Sequence, residues 1–422
     1  MKGNTVRVAT DPITDLPNNI IDTILSCLPL RDVVRTSILS RQWRHKWVSC
    51  PELVFDFWFD QMFLGGHQLE PLVYQILELH RGPLLKFVLQ VPDLKSSPDI
   101  DQWVNLLPDR TLQDLTLHVS RGETHRLTPD LFRFNNLRHL KLYNCVFDPV
   151  PGFKGFGKLT SLELQRVELV PDKFGEFIGS CTSLERLRLV QCTSFDRLEI
   201  NGPRLESFEF HGVFKSVVFE KCSVLRDVKL TFSSMEFKSG NRFSLDLFKS
   251  LSTLPALEDL QLQAYALEDL VENGAPEKLP LSLRMLKNLH LSDMYFEKIE
   301  EISCAICFIR SCPNLQRLKI TAFTLDVVDS VADFLRSQRS SETFTQLRTV
   351  KMQLFSGIEA EMEFVKYLLA SAAALEEMTI TPHGGSVTDG GESILKELKQ
   401  YPRASPTAEI FSSEKNYRRK QV

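Results

Sequence analysis

The segment DLPNNIIDTILSCLPLRDVVRTSILSRQWRHKWVSCPELVF, from Asp15 to Phe55, decides how this 422-residue chain is organised. Its first part has the apolar spacing of one face of an α-helix, which has about 3.6 residues per turn. The apolar residues on that face are Ile20, Ile21, Ile24, Leu25 and Leu28. The helix begins after Leu16 and Pro17 and ends at Pro29, because proline cannot donate the next backbone hydrogen bond. The start of the segment therefore predicts one amphipathic helix.

Two more helical turns are predicted in the same segment. A second helical pattern carries Val33 and Ile38 on one side. Ser40 is of the N-cap type, and the turn after it carries Trp43 and Trp47 at positions i and i+4. A segment of roughly 40 residues buries too little surface to fold alone and usually needs a partner or a covalent staple. We therefore expect three short helices whose remaining apolar face is covered either by another protein or by the domain that follows.

The order of residues in this segment resembles the F-box. The similarity consists of LP before an aliphatic helix, LP before a basic helix, and LSRQW followed by a second Trp, with Ser40 among the matching positions. The resemblance implies docking on the Skp-type adaptor protein of an SCF-type ubiquitin ligase. The adaptor-binding residues that it implies are Leu16, Pro17, Ile20, Leu25, Leu28, Pro29, Val33, Ile38, Leu39, Trp43 and Trp47.

The overall composition is typical of a soluble folded protein, and the lack of a signal peptide or membrane span predicts a location in the cytoplasm and/or nucleus. The chain is 43% hydrophobic and 25% charged. Its net charge of -4 gives no general attraction to nucleic acid or to an anionic membrane, so neither is expected as a partner. The sequence has no signal peptide and no apolar stretch long enough to span a membrane. Nine cysteines, an odd number, suit reduced thiols better than a disulfide framework.

After the helical segment, a pattern of the form LxxLxL, with some conservative replacements, recurs twelve times. Alternating apolar residues of this kind form a short strand whose inward side chains stack on those of neighbouring repeats. The first leucines of the repeats are Leu84, Leu112, Leu137, Leu159, Leu184, Leu205, Leu225, Leu257, Leu286, Leu315, Leu347 and Leu375. Their separations of 20 to 32 residues lie mostly within or just beyond the range of leucine-rich repeats. The pattern predicts a leucine-rich-repeat solenoid.

The separation between repeats predicts what connects the strands. Where it is near 28 to 32 residues, the connection has helical apolar spacing, as at Ile302, Ile306 and Ile309. Where it is 20 or 21 residues, a helix does not fit, and a second alternating series lies between the main strands. That series comprises Phe195, Leu198 and Ile200, then Phe214, Val217 and Phe219. We expect helices in the long connections and strands on both faces in the short ones.

The C-terminal segment begins TQLRTVKMQLFSGIEAEMEFVKYLLASAAALEEMTI at Thr345, which predicts a strand, a Gly turn, a helix from Ile358 to Ala372 and another strand. With ILKELKQYPRASPTAEI after a loop, it resembles the FBD domain. The combination of all three parts is similar to the plant F-box/FBD/LRR-repeat family. Physically the segment is expected to continue the repeats and to cover their last apolar layer.

Three other sequence features are candidates for metal, cofactor or catalytic sites, and none has the required pattern. Cys304 and Cys307 form a CxxC near Cys312, but no second ligand pair is close enough in sequence for a zinc site, so buried helix cysteines and no metal are expected. The glycine pairs of the C-terminal loop lack the spacing of a phosphate-binding loop, so no cofactor is expected. The histidines occur without a catalytic motif, and for His118 and His290, which lie in or beside repeat strands, binding fits better than catalysis.

The expected fold class is α/β, with a three-helix F-box, a curved leucine-rich-repeat solenoid, and an FBD segment that continues and caps it. The expected boundaries are 11–55 for the F-box, 56–83 for a joint, 84–344 for the solenoid, 345–415 for the FBD segment and 416–422 for a flexible tail.

The expected function is that of a non-catalytic substrate-recognition subunit of an SCF-type E3 ubiquitin ligase. It would bind the Skp-type adaptor directly, the cullin-RING assembly through that adaptor, and an unknown protein target on the solenoid. Two alternatives remain open at this stage. One is an adaptor-anchored binding module with no role in degradation, and the other is a receptor gated by a small molecule.

Overall fold

The computed structural model describes residues 16–28, 30–39, 43–44, 46–61, 69–193, 195–232, 246–263, 282–323, 329–338, 344–384, 387 and 391–413. The chain divides into two compact units, Met1–Thr193 and Ser194–Val422. Each consists of parallel strands joined by helices or further strands, so the predicted α/β solenoid is confirmed.

The first unit begins with the N-terminal helices and continues with the first repeats. Its elements are α1 (Asn18–Ser26), α2 (Leu30–Arg35), a 3-10 turn (Thr36–Ile38), a second 3-10 turn (Lys46–Ser49), β1 (Glu52–Phe55), α3 (Phe57–Phe59), α4 (Leu69–Leu79), β2 (Lys86–Leu89), α5 (Pro98–Leu106), β3 (Asp114–His118), β4 (His125–Arg126), a third 3-10 turn (Pro129–Arg133), β5 (His139–Tyr143), β6 (Cys145–Phe147), β7 (Ser161–Gln165), β8 (Glu168–Leu169), α6 (Pro171–Ser180) and β9 (Arg186–Val190).

The second unit contains the later repeats and the C-terminal segment. Its elements are β10 (Phe195–Asn201), β11 (Ser207–Gly212), β12 (Phe214–Glu220), β13 (Asp227–Phe232), α7 (Asp246–Ser252), β14 (Asp259–Gln263), β15 (Asn288–Tyr295), α8 (Ile299–Arg310), β16 (Arg317–Phe323), α9 (Asp329–Ser337), β17 (Thr349–Phe355), α10 (Glu359–Ser371), β18 (Glu377–Pro382), α11 (Glu392–Leu398) and β19 (Glu409–Ser412).

The strands of each main sheet are parallel, and the repeat leucines set their register. In the first unit, β1, β2, β3, β5, β7 and β9 align Leu53, Phe87, Leu115, Leu140, Leu162 and Leu187 in one buried row. In the second, β11 and β13 to β19 align Phe208, Val228, Leu260, Leu289, Leu318, Val350, Met378 and Ile410. The C-terminal segment, β17 to β19, therefore continues the same sheet.

The connections between strands follow the spacing of the repeats. The long connection after β15 forms α8, which buries Ile302, Ile306 and Ile309 as predicted. In the short repeats, β10 and β12 pair in parallel and form a second small sheet, so the prediction of strands on both faces is confirmed. The predicted helix near residues 358–372 is α10.

Several turns after the strands adopt a left-handed backbone conformation at residues other than glycine. Asn144, Arg166 and Gln191 have φ angles of 56, 51 and 50° directly after β5, β7 and β9. Non-glycine residues rarely have positive φ, so the recurrence marks a fixed feature of the repeat. Two residues after the strand ends, Cys145 is fully buried and Cys192 is half-buried, and packing inside the repeat explains both cysteines.

The N-terminal helices differ from the predicted ones in the last turn. Helices α1 and α2 form where the apolar pattern places them. Trp47 lies in a 3-10 turn, and Trp43 precedes that turn and accepts a backbone hydrogen bond from Lys46 at 3.1 Å. Pro51 follows within four residues of Trp47, so an α-helix has no room to continue.

Candidate functional site

The N-terminal helical segment has a small core of its own. The buried residues of that core are Ile21, Leu25, Val33, Trp43 and Cys50. Leu16, Leu28 and Trp47 are partly buried and pack against it. Helix α1 begins at Asn18, and the carbonyl of Pro17 accepts the backbone N–H groups of Ile20 and Ile21 at 3.0 and 3.1 Å. This start turns Ile21 and Leu25 inward, because residues four apart share a helix face.

The same segment exposes four large apolar side chains. Ile20 is 42% exposed, Ile24 37%, Ile38 87% and Leu39 45%. Ile20 and Ile24 lie at positions i and i+4 of α1, and the exposed Cys27, which directly follows the helix in helical conformation, lies at i+7. They therefore lie on one face of that helix, beside the face that is buried in the segment's own core.

The adaptor-binding residues implied by the sequence thus fall into separate structural groups. Leu25, Val33 and Trp43 are buried in the segment's own core, and Leu16, Leu28 and Trp47 are partly buried. The exposed ones are Pro17, Ile20, Ile38 and Leu39. Pro29 and Ser40 lie outside the described residues. Ile24 and Cys27 were not among the implied residues, although their spacing from Ile20 identifies them as members of the same helix face.

The helical segment is attached to the first repeat by several close contacts. Strand β1 pairs with β2, and the rings of Phe55 and Phe87 lie 5.8 Å apart. Arg81 donates its backbone N–H to the carbonyl of Val48 at 2.7 Å. A Cβ on Gly82 would lie 2.9 Å from the backbone of Ser49, so this close approach requires glycine. These contacts give the segment a fixed connection to the sheet.

Comparison with known proteins identifies the parts of the chain. Residues 13–55 match the family model "F-box domain". Residues 100–320 match "FBD-associated F-box protein At5g56370, LRR repeats", and residues 344–380 match "FBD". The F-box/FBD/LRR-repeat protein At1g13570 of Arabidopsis thaliana is 33% identical over 412 residues, which cover 95% of this chain and 98% of that protein. The chain belongs to the F-box/FBD/LRR-repeat family.

Other members of the family align over similar lengths. The F-box/FBD/LRR-repeat protein At5g56420 of Arabidopsis thaliana is 24% identical over 430 residues, covering 95% of this chain and 98% of that protein. The F-box/LRR-repeat protein 13 of the same plant is 26% identical over 458 residues, covering 95% and 96%. An F-box in general binds a Skp-type adaptor, and members of such families are typically non-catalytic adaptors for substrates. This family membership supports a substrate-adaptor role in general for the chain.

The repeats of this F-box/FBD/LRR-repeat protein expose polar side chains on the solvent face of the sheet. In the first unit, His118 stacks on Tyr143 with ring centroids 3.9 Å apart. In the second unit, His290 lies in a groove of about 450 Å³ formed by the faces of β13 to β17. Its Nε2 atom is 3.1 Å from Oγ1 of Thr321. Burial, and next the charge of Lys319, lower the pKa of His290 to about 4. Both histidines are partly exposed on the solvent face of a repeat sheet.

Three cysteines of the second unit are packing residues. Cys304, Cys307 and Cys312 are buried on or next to α8. Burial raises the pKa of the Cys307 thiol to about 11, which disfavours the thiolate that metals bind. Among the described residues, no group of three His, Cys, Asp or Glu side chains is arranged to hold a metal ion. None of the described helices is both long enough and apolar enough to cross a bilayer.

Proposed function

We propose that this protein is the substrate-recognition subunit of an SCF-type E3 ubiquitin ligase. The F-box docks on a Skp-type adaptor, the adaptor connects it to a cullin-RING assembly, and the surface of the repeats and the FBD segment binds a protein target. The chain itself is non-catalytic. It acts by holding the target close to the ubiquitin-conjugating enzyme, which raises the effective concentration of the target lysine.

One observation carries the adaptor-binding part of this proposal, namely the exposure of apolar side chains in the F-box. Ile38 is 87% exposed, although burying such a side chain stabilises a complex by about 1.5–3 kcal/mol. Ile20, Ile24 and Leu39 are also exposed, while the F-box's own core is small. An unburied apolar surface on a short helical segment is typical of a protein interface.

Under this proposal, the adaptor-binding residues have two roles, and the difference in their exposure supports the division. Ile20, Ile38 and Leu39, together with Pro17 and Ile24, contact the adaptor because they are exposed. The buried and partly buried residues hold the helices in place and act through these contacts. The residues in this second group are Leu16, Leu25, Leu28, Val33, Trp43 and Trp47.

The proposal keeps the domain boundaries and the location that are expected from the sequence. The F-box occupies residues 11–55, a joint residues 56–83, the repeats residues 84–344 and the FBD segment residues 345–415, with a short tail after it. We also propose that the protein works in the cytoplasm and/or nucleus.

The test uses the full-length chain and a purified Skp-type adaptor. Ile38→Asp should reduce adaptor capture at least about 30-fold, because an interface that buried an isoleucine would instead bury a charge. Val224→Asp is the matched control, since Val224 is 37% exposed on the second unit. Both variants should melt like the parent protein. Equal capture by the parent and Ile38→Asp would overturn the proposed adaptor surface.

The ligase role needs a second measurement with the cullin-RING assembly and the conjugating enzyme. The full-length chain should direct adaptor-dependent ubiquitin transfer onto itself or onto a bound protein, and Ile38→Asp should remove that transfer. Adaptor capture without any transfer would favour the anchored binding module that has no role in degradation.

A further inference from the structure

The solvent face of the second unit carries two rows of side chains at matched positions of β13 to β17. The first row consists of Asp227, Asp259, Asn288, Arg317 and Thr349. The second row, two residues farther along each strand, consists of Lys229, Gln261, His290, Lys319 and Lys351. Both rows line the groove of about 450 Å³. The register of the repeats thus places successive side chains next to one another across the sheet.

Three positive charges are concentrated on β16 and β17. Lys319 and Lys351 are direct cross-strand partners, and Arg317 precedes Lys319 on the same face. None of the three forms an ion pair with another residue in the part of the chain that the structure describes. Like charges directly opposite each other destabilise a sheet. We call the solvent face of β15 to β17, with Arg317, Lys319 and Lys351, the basic window.

In the first unit, cationic side chains on the solvent face of the sheet have acidic partners on neighbouring strands. Lys141 and Arg188, on β5 and β9, both pair with Glu163 on the strand between them, at 2.9 and 2.6 Å. Lys86 pairs with Glu52 across β1 and β2 at 3.1 Å. The charges of these cross-strand groups are therefore neutralised. In the basic window, by contrast, Nε of Arg317 donates to Oδ1 of Asn288 at 2.5 Å, and no described carboxylate forms an ion pair with any of the three cations.

Acidic residues bound the basic window on both sides. Asp259 lies on β14, where it accepts a hydrogen bond from Asn288, and Glu377 lies on β18 opposite Thr349. Within β15, Asp293 lies beyond His290 and accepts a hydrogen bond from Gln263 at 2.7 Å. An acidic partner would be attracted to the three cations on β16 and β17 and repelled by the carboxylates on β14, β15 and β18. The charge pattern therefore favours one position for such a partner.

The far end of the same face is apolar. Tyr295 and Phe323 are cross-strand partners with ring centroids 5.1 Å apart, and Phe323 is 42% exposed. Leu354, near the end of β17, is also exposed. Lys319 and Phe323 are four residues apart along one strand, a distance of about 13 Å. A partner that follows the strands meets the cations first and then the apolar group.

We propose that the basic window binds an extended acidic segment of the protein target. Its carboxylates pair with Arg317, Lys319 and Lys351, and an apolar side chain about four residues away packs on Tyr295 and Phe323. This inference rests on the proposed function as a target receptor and names the chemistry of the target.

A small anion fits this geometry less well than a peptide. The cations are spread along and across two strands instead of converging on one point. The backbone N–H groups at these positions are used in the sheet, so they are not available to cradle a phosphate. The apolar group at Phe323 would also have no partner on an inorganic ion. A peptide chain satisfies both parts of the surface.

The experiment measures the affinity of a labelled twelve-residue peptide for the full-length chain by fluorescence anisotropy. In this peptide, three glutamates precede a phenylalanine. A second peptide has glutamine in place of each glutamate. At about threefold per ion pair, we expect the glutamate peptide to bind about 30-fold more tightly than the glutamine peptide. The double variant Lys319→Gln, Lys351→Gln removes two of the three cations and should lose about tenfold in affinity for the glutamate peptide. Lys215→Gln is the control, because Lys215 is exposed on β12 and outside the groove.

Three results would overturn the inference. The first is equal affinity of the protein for the two peptides, and the second is unchanged affinity of the double variant for the glutamate peptide. The third is displacement of the glutamate peptide by inorganic pyrophosphate at equal concentration, which would indicate a small-anion site. Adaptor capture is measured on the same preparations. A double variant that captures the adaptor normally while the peptides bind equally contradicts only this inference. If the protein binds the glutamate peptide more tightly but does not capture the adaptor, the proposed ligase role is contradicted, while the inference about an acidic ligand is supported.

Discussion

The fully buried carboxylate of Glu361 accepts the backbone N–H of Gly357 at 2.7 Å. The same Oε2 atom accepts the N–H of Ser356 at 2.8 Å, so one side chain holds the turn between β17 and α10. Glu301 occupies the equivalent third position of α8, where it accepts the N–H of Tyr295 at 2.9 Å and pairs with Lys298. In both of these long repeats, a buried glutamate at the third position of the helix thus joins the strand to the helix.

Replacement of Glu361 by alanine should lower the free energy of unfolding by about 2–3 kcal/mol, because two buried N–H donors lose a charged acceptor. Chemical denaturation of the full-length chain measures this. Glu376→Ala is the matched control, since Glu376 is exposed and makes one surface ion pair with Arg348 at 2.7 Å, worth at most about 1 kcal/mol. Equal losses for the two variants would contradict the role given to Glu361.

The helix α10 shows what the sequence could and could not predict. The apolar spacing of Met362, Val365, Leu368 and Leu369 gives the helix and its buried face, and the structure buries all four. Glu361 precedes Met362 and looks like a solvent-facing residue in the sequence. Its partners are backbone groups in a turn whose shape depends on a positive φ of 77° at Gly357, which the side-chain pattern does not encode.

The same distinction applies to the F-box. Sequence resemblance identifies the residues as a set, because it reports which types occur at which spacing. It does not separate Leu25 and Trp43, which close the segment's own core, from Ile20 and Ile38, which are exposed. That division depends on how α1 and α2 pack together. Lys319 and Lys351 are cross-strand partners only because of the register between β16 and β17. The sequence does not directly encode that register, because the connections between repeats differ in length.

Cys27 should report adaptor binding without any mutation. It is the exposed cysteine of the nine and lies on the same face of α1 as Ile20 and Ile24. In the unbound protein, iodoacetamide should modify Cys27 first, because burial raises the pKa of thiols such as Cys145, to about 12. A saturating Skp-type adaptor should slow Cys27 modification at least about tenfold if the interface excludes solvent from that face. Peptide mass spectrometry measures the rate at each cysteine, and an unchanged rate at Cys27 would place the adaptor elsewhere.

His290 should make stability depend on pH in a defined window. Burial, followed by the charge of Lys319, lowers its pKa to about 4, and Asp293 opposes the shift. The unfolded chain, with a histidine pKa of about 6.5, binds more protons than the folded chain between these values. Stability should therefore fall as pH drops from about 6.5 to about 4, and this contribution should be constant above pH 7.

The test compares the melting temperature of the parent protein with that of His290→Asn across this range. The variant should lose less melting temperature on acidification than the parent, while both should be parallel above pH 7. Lys319→Gln should raise the folded-state pKa of His290, so the loss of stability on acidification should still begin near pH 6.5 but end at a higher pH and be smaller in total. Identical slopes for the parent and His290→Asn would show that the imidazole stays accessible to protons in the folded state.

The last prediction concerns the C-terminal segment, whose β17 lies in register with β16. Leu318 pairs with Val350 and Ile320 with Met352, and Nε of Arg310 on α8 donates to the Tyr367 hydroxyl on α10 at 3.2 Å. A chain that ends before Thr345 loses this layer and leaves one edge of β16 without its strand partner. At about 25 cal/mol per Å², about 300 Å² of newly exposed apolar surface corresponds to about 7 kcal/mol, comparable with the net stability of a whole domain.

We therefore expect the chain truncated before Thr345 to aggregate, since the exposed strand edge can pair with another chain. A chain that ends after Ser413 keeps all the described helices and strands and is the control. Light scattering and thermal melting compare the two proteins. If the FBD segment were instead an independent binding module, the truncated chain would remain monomeric, melt cooperatively at the parent temperature and lose only a partner. The register between Leu318 and Val350 argues against that outcome, because side chains aligned in one buried row stabilise both repeats at once.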